Sequence, residues 1–259
     1  VLVAREKLQQ GRLRLREQHD RGSPGIQVCA GLTELFDEIL MDLYQAALQQ
    51  LDDGRELPSP VALVAHAGYG RSEIAPYSDV DLMLLCAEGA EQQMAPLAQL
   101  LNQFVFDSGL QLGLSTRSPR QAWELALKEP HVLTSLVESR LLSGDEPLFQ
   151  KFMEGFRRRV QRRHRSSIQA ISQSRREEQQ QWGGTVYLLK PNIKRSRGGL
   201  RDLQLIRWIG FARYGEPSPE RLMRLGHISR EDWRRLQEAR EYLLRIRNEM
   251  HFHADRVQD

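Results

Sequence analysis

Short apolar runs typical of buried strands are confined to one stretch of the chain, Val61–Ala65, Leu82–Leu85 and Leu110–Arg117, while apolar residues elsewhere recur at helical spacing. This segregation restricts the fold to a small sheet flanked by helices. Leu32, Leu35, Phe36, Ile39, Leu43 and Ala46 make Gly31–Leu51 an amphipathic helix, closed by Asp53-Gly54 and by Pro58 and Pro60. The sheet region then reads strand, glycine-rich loop at Gly68–Arg71, strand, a helix over Glu88–Phe106, and a third strand at Leu110–Arg117. Ser118-Pro119 is a helix start, a capping serine followed by a first-turn proline. From Pro119 to Asp259 the pattern is helical almost throughout, interrupted at Pro130, at Gly144-Asp145 and across Gly183–Gly199.

The expected architecture is α+β: an N-terminal helical segment (1–30), a small mixed sheet with flanking helices (31–118), and an all-helical domain (119–259) closing one wall of a cleft. No apolar run approaches the roughly 18 residues needed to span a bilayer, so no membrane partner is expected. Cys29 and Cys86 are the only cysteines and no secretory signal is seen, which makes a reducing cytoplasm the expected location. The chain starts at Val1 and its last helical pattern runs to Asp259, as expected of a piece of a longer protein. Positive charge is local: Arg157, Arg158, Arg159, Arg162, Arg163 and Arg165 fall opposite Phe152, Phe156, Val160, Ile168 and Ile171 on what reads as one long helix. They form a solvated face, and no nucleic-acid partner is expected. His19-Asp20 reads as a surface pair, and His251 and His253, two apart on a helix, are a poor metal pair.

Chemistry concentrates around Ser78-Asp79-Val80-Asp81. Residues two apart on a strand share a face, so Asp79 and Asp81 present two carboxylates side by side where the second strand begins. Hard oxygen ligands of this kind suit Mg²⁺ and the transfer of phosphoryl-type groups. Upstream, Gly68 and Gly70 let backbone N–H groups approach phosphate oxygens, and Arg71 adds positive charge. Alone, an Asp-x-Asp or a Gly-x-Gly is usually turn chemistry; together they point to one triphosphate.

The stretch Gly68-Tyr69-Gly70-Arg71, Glu73, Pro76, Ser78-Asp79 and Asp81-Leu82 resembles the nucleotidyltransferase motif of PII uridylyltransferases, members of the polymerase-β-like superfamily. A second match, Pro191-Asn192-Ile193-Lys194 with Gly198-Gly199-Leu200-Arg201-Asp202 and Arg207-Trp208-Ile209, is similar to that family's signature after the catalytic domain. Phe106-Asp107, Gly109-Leu110, Ser115 with Arg117, Leu141-Leu142 with Gly144-Asp145, and Arg245-Ile246-Arg247-Asn248-Glu249 with His251 extend the resemblance over nearly the whole chain.

The resemblance implies a polymerase-β-like core that transfers UMP from UTP to a tyrosine of the PII signalling protein, with Mg²⁺ held by Asp79 and Asp81. Nucleotide contacts are expected from Gly68, Tyr69, Gly70, Arg71, Ser78, Lys194 and Arg201, with Asp202 orienting one of the two basic residues. Adenylylation with ATP, nucleotide addition to RNA, and a regulatory nucleotide-binding module with little turnover are the competing readings. This chain departs from the family pattern at Ala67, Ser72 and Ser196, where glycines are usual, and at Lys190 and Leu114. Many polymerase-β-like enzymes have a third carboxylate on the neighbouring strand; Leu110–Arg117 has none, leaving only Asp107 and Glu73, neither assigned.

Overall fold

The computed structural model describes residues 1–51, 59–182 and 191–259. Four strands form one sheet in the order β3-β2-β1-β4. β1 (Val61–Ala65), buried at every position, lies antiparallel to β2 (Val80–Cys86) with Leu63 opposite Leu84. β3 (Leu112–Arg117) runs parallel to β2, with Gly113 opposite Asp81. The fourth strand, β4 (Arg140–Gly144), pairs antiparallel with the other edge of β1. β4 lies in the stretch the sequence pattern assigned to helices: Arg140-Leu141-Leu142-Ser143-Gly144 is too short to show a period of two, and only its pairing with β1 makes it a strand.

Eleven helices surround the sheet among the described residues. On one face, α1 (Leu2–Asp20), α2 (Gly25–Leu51) and α4 (Ala95–Ser108) pack over Leu63, Leu82 and Leu84. On the other, α5 (Pro119–Lys128), α6 (Pro130–Val137), α7 (Glu146–Arg162), α8 (His164–Trp182) and α9 (Leu200–Tyr214) enclose Ala62, Val64, Met83 and Leu85. Period-two alternation along β2 sends even and odd residues to these separate cores. Asp79 and Asp81 therefore share the parity of Met83 and Leu85 and lie at the end of that face. A short α10 (Pro219–Arg224) leads to α11 (Arg230–Ala254), which returns to the start of α2, where Asn248 Nδ2 donates to the Gly25 carbonyl at 3.1 Å.

Several local expectations are corrected. Residues after β1 form a helical turn, α3 (Ala67–Gly70), rather than an open loop. The 88–106 helix begins only at Ala95, after a 3₁₀ turn at Gln92–Met94, and α2 starts at Gly25, before Gly31. The long arginine-bearing helix is two helices: the Arg163 N–H bonds the Val160 carbonyl, tightening the last turn of α7, and α8 then starts afresh. Both keep their apolar residues on one core, which is why the periodicity ran through the break. Ser118 does cap α5, in a full capping box with Gln121. His19 is not a surface residue: it is 4% exposed, 2.9 Å from Glu249 and against the Phe252 ring. The bends expected at Asp53-Gly54 and Pro58 lie outside the described residues. No described helix is long and apolar enough to cross a membrane.

Candidate active site

The cleft lies where the ends of β1 and β2 meet α9, α11 and the Pro191–Gly199 segment. Gly68, Asp79, Asp81, Lys194 and Arg201 line it together, so residues far apart in sequence converge on one open cleft.

Backbone geometry sets the glycine-rich turn. Ala67 (φ 54°) and Ser72 (φ 59°) flank it, both in the left-handed region that favours glycine, which accounts physically for the glycines usual at these two positions. Gly70 is required by packing: a Cβ there would fall 2.0 Å from the Glu138 carbonyl oxygen and 2.8 Å from that of Ala65. Gly68 faces open space, its nearest neighbour to such a Cβ being the Glu73 carbonyl at 3.9 Å.

The expected nucleotide-contacting side chains divide into two groups. Tyr69 is fully buried, its hydroxyl donating to Asp37 at 2.5 Å, while Arg140 holds the same carboxylate in a two-pronged pair. Its ring anchors the turn to α2, away from the cleft, and Gly70 lines the packing seam. Arg71 reaches the cleft wall but is neutralised, with Nε 2.5 Å from Glu73 and Glu138 at 3.7 Å. Ser78 Oγ accepts from the Ala75 N–H (2.9 Å) and from Arg247 Nη2 (3.3 Å). Lys194 and Arg201 do converge on the aspartates: both positive charges partly offset the upward push on the Asp81 pKa, which comes first from burial and then from Asp79.

Around Lys194, Asn192 Oδ1 accepts from the Lys194 and Arg195 N–H groups (3.1 and 2.7 Å), folding the segment so that Lys194 projects inward to 3.6 Å from Asp259. Burial, then the nearby Arg247, lowers the Lys194 pKa to about 8. Burial likewise lowers that of Arg201 to about 10, only partly opposed by Glu178. Asp202 orients neither of them. It accepts from Arg175 Nε at 2.7 Å and from the Gly198 N–H at 2.7 Å, tying α8 to the start of α9.

Arg71 belongs to a buried network along the cleft wall whose other members the sequence left without an assigned role. Glu73 joins Arg71, Arg240 (2.6 Å) and Gln204 (3.5 Å), and Glu138 joins Arg71 and Arg207 (2.9 Å). Arg247, 6% exposed, reaches Ser78 and the Glu73 carbonyl. Arg71, Glu73, Arg207 and Arg247 lie in the stretches that carry the family resemblance, whereas Glu138, Gln204 and Arg240 had no signal in the sequence. Burial would raise the Glu73 pKa, but Arg71, Arg240 and Arg207 outweigh it and hold the value at about 2. Glu73 is thus committed to arginines, and Asp107 is exposed near the end of α4, outside the cleft lining.

Asp79 and Asp81 are different. Asp79 is exposed and Asp81 half-buried, the two repel each other, and neither side chain takes a hydrogen bond or ion pair among the described residues. Two adjacent carboxylates without protein donors fit a divalent cation. No group of three or more His, Cys, Asp or Glu side chains suited to a metal occurs among the described residues, so such a cation would complete its shell with phosphate oxygens and water, as Mg²⁺ commonly does. Lys190 lies outside the described residues, and Leu114 packs into the core over the other face of the sheet.

Comparison with known proteins agrees with this geometry. The family model described as GlnD PII-uridylyltransferase matches residues 152–259. A bifunctional uridylyltransferase/uridylyl-removing enzyme of Aromatoleum aromaticum is 34% identical across the whole chain, which covers 29% of that protein. Enzymes with the same name are 36% identical over 86% of the chain in Pseudomonas aeruginosa (strain LESB58), and 32% identical over 95% in Idiomarina loihiensis, covering 24% and 28% of those proteins. The chain spans less than a third of the length of these relatives. With both its aspartate pair and its Pro191–Asp202 signature gathered at one cleft, the chain belongs to the PII-uridylyltransferase family.

Proposed function

We propose that this chain is a nucleotidyltransferase that moves UMP from UTP to a tyrosine hydroxyl of a PII signalling protein and releases pyrophosphate, acting within the cytoplasm. The observation that carries this reading is the convergence of Lys194 and Arg201 from the helical side on the Asp79–Asp81 carboxylates, which have no partner among the described residues. Asp79 and Asp81 would hold Mg²⁺, which supplies charge neutralisation and polarisation at the α-phosphate. Lys194 and Arg201 balance the charge of the triphosphate, and Gly68 leaves the backbone open to its oxygens. The acceptor hydroxyl attacks phosphorus in line as the bond to the pyrophosphate oxygen breaks, and positioning supplies much of the rate. The uridylyl group is carried over from the names of the relatives and the PII acceptor from the description of the family model; UTP as donor and the tyrosine hydroxyl follow from the sequence resemblance.

A second reading, a nucleotide-binding module with little turnover, is favoured by one observation: Gly113 stands opposite Asp81 on the neighbouring strand, where no carboxylate is available. Transfer of label from α-labelled UTP or ATP to purified PII protein with Mg²⁺, comparing the chain with Asp79→Asn/Asp81→Asn, separates these readings. Aspartate-dependent labelling by UTP supports the uridylyltransferase, and labelling by ATP alone supports adenylylation. Nucleotide binding without labelling supports the module.

A further inference from the structure

The segment after α11 brings a further carboxylate to the cleft. Asp255 ends the helix in the left-handed region (φ 49°) and turns the chain back, a conformation that aspartate tolerates better than most residues. Val257 and Asp259 thereby line the same cleft as Asp79, Asp81, Lys194 and Arg247.

Asp259 is held by three side chains. Its Oδ1 accepts from Arg247 Nε at 2.5 Å and lies 3.3 Å from His251 Nε2, while Lys194 Nζ is 3.6 Å from Oδ2. His251 is fully buried, and its Nδ1 accepts from the Tyr77 N–H at 3.3 Å. The ring proton is therefore on Nε2, which donates to Asp259. Arg247 reaches on to Ser78 Oγ, next to Asp79 in the chain. The Asp259 carbonyl in turn accepts from Asn192 Nδ2 at 3.1 Å, and Asn192 is the residue that folds the Lys194 turn. One run of contacts, Ser78–Arg247–Asp259–Lys194, ties the start of β2 to Lys194. Among the described residues Asp259 is the one carboxylate paired with Lys194, whose other charged neighbours in the cleft include Arg201 and Arg247.

We propose that Asp259 is a positioning residue: anchored by Arg247 and His251, it fixes Lys194 opposite Asp79 and Asp81, where the charge of the triphosphate is balanced. The inference rests on the nucleotidyltransferase reading. The negative charge of Asp259 itself works against triphosphate binding, so its contribution to transfer comes from where it holds Lys194.

A double-mutant cycle in the transfer reaction tests this. Single-turnover transfer of UMP from α-labelled UTP to PII protein is followed at a series of UTP concentrations for the full chain, Asp259→Asn, Lys194→Met and the double variant. Far-UV circular dichroism verifies each fold. Asp259→Asn is expected to lower the maximal rate roughly tenfold through misplacement of Lys194. The UTP concentration giving half that rate should stay the same or fall, because a repelling charge is gone. With Lys194→Met already present, the same change should cost less than about twofold in rate, since residues that act as a unit are not additive. Should Asp259→Asn unfold the chain, Asp259→Glu, which keeps the charge on a longer arm, takes its place in the cycle. No loss of rate, equal losses in both backgrounds, or an unchanged rate with raised half-saturation would reduce Asp259 to a structural ion pair and overturn the proposal. Absence of transfer by the unaltered chain would instead remove the nucleotidyltransferase reading, and this inference with it.

Discussion

Gly113 stands directly opposite Asp81 in the parallel β2–β3 pair, and a Cβ at Gly113 would lie 3.1 Å from Asp81 Oδ1. A side chain there would crowd the carboxylate, which would have to give by a few tenths of an ångström, so the neighbouring strand helps to set the position of the acidic pair. Gly113→Val should displace Asp81 and lower transfer by roughly 10- to 100-fold, since a shift near 1 Å costs about that much. Unfolding curves establish that the fold is kept; a transfer rate within twofold of the parent would show that Asp81 tolerates the crowding.

Asp81→Asn tests the proposed metal ligand itself. Losing one of two carboxylates that neutralise a triphosphate complex should cost several kcal/mol of transition-state stabilisation, on the order of 10²- to 10³-fold in rate. A loss of only a few fold in a single-turnover assay would place the metal elsewhere.

Ala67 and Ser72 hold left-handed backbone without being glycine, at a cost of about 1–2 kcal/mol each. Glycine would relieve that strain while adding roughly 0.5–1 kcal/mol of unfolded-chain entropy. Ala67→Gly and Ser72→Gly are each expected to stabilise by about 0.5–1 kcal/mol, read as a rise in the urea midpoint. A fall at either position would mean that its side chain contributes more than the strain removes.

Glu73 makes stability depend on acid. Its folded pKa of about 2 lies below the ordinary 4.5, so between those values the unfolded chain binds more protons. Its contribution is fully present above about pH 4.5 and is lost as pH falls toward 2. The full shift corresponds to a few kcal/mol, on the order of 3. Urea unfolding at pH 6 and pH 3 should show a steeper loss for the parent than for Glu73→Gln, and parallel losses would remove Glu73 from the linkage.

Part of the site was legible because its signals are local. Asp79 and Asp81 are two apart on a strand, and the Asn192 turn that directs Lys194 inward is closed by residues two and three positions away. Tyr69 shows the limit. The family resemblance implied a nucleotide contact for it, but its side chain bonds Asp37, a residue of α2 that no nearby pattern could indicate. Asp202 likewise sits beside Arg201 in sequence yet pairs with Arg175 across α8, because a residue at the start of a helix faces whichever neighbour packs against it.

The sequence by itself determined the sheet-and-helix composition, the capped start of α5, the aspartate pair and the family resemblance, since each depends on contacts within a few residues. Tertiary structure decided that Arg140–Gly144 becomes the fourth strand, that α7 and α8 are separate helices, and that Glu73 and Glu138 bind arginines rather than substrate. The physical reason for the first and the last is that a strand needs a partner for its backbone hydrogen bonds, and a buried charge needs its counter-charge. In this chain those partners are supplied by distant segments, 167 residues apart in the case of Glu73 and Arg240.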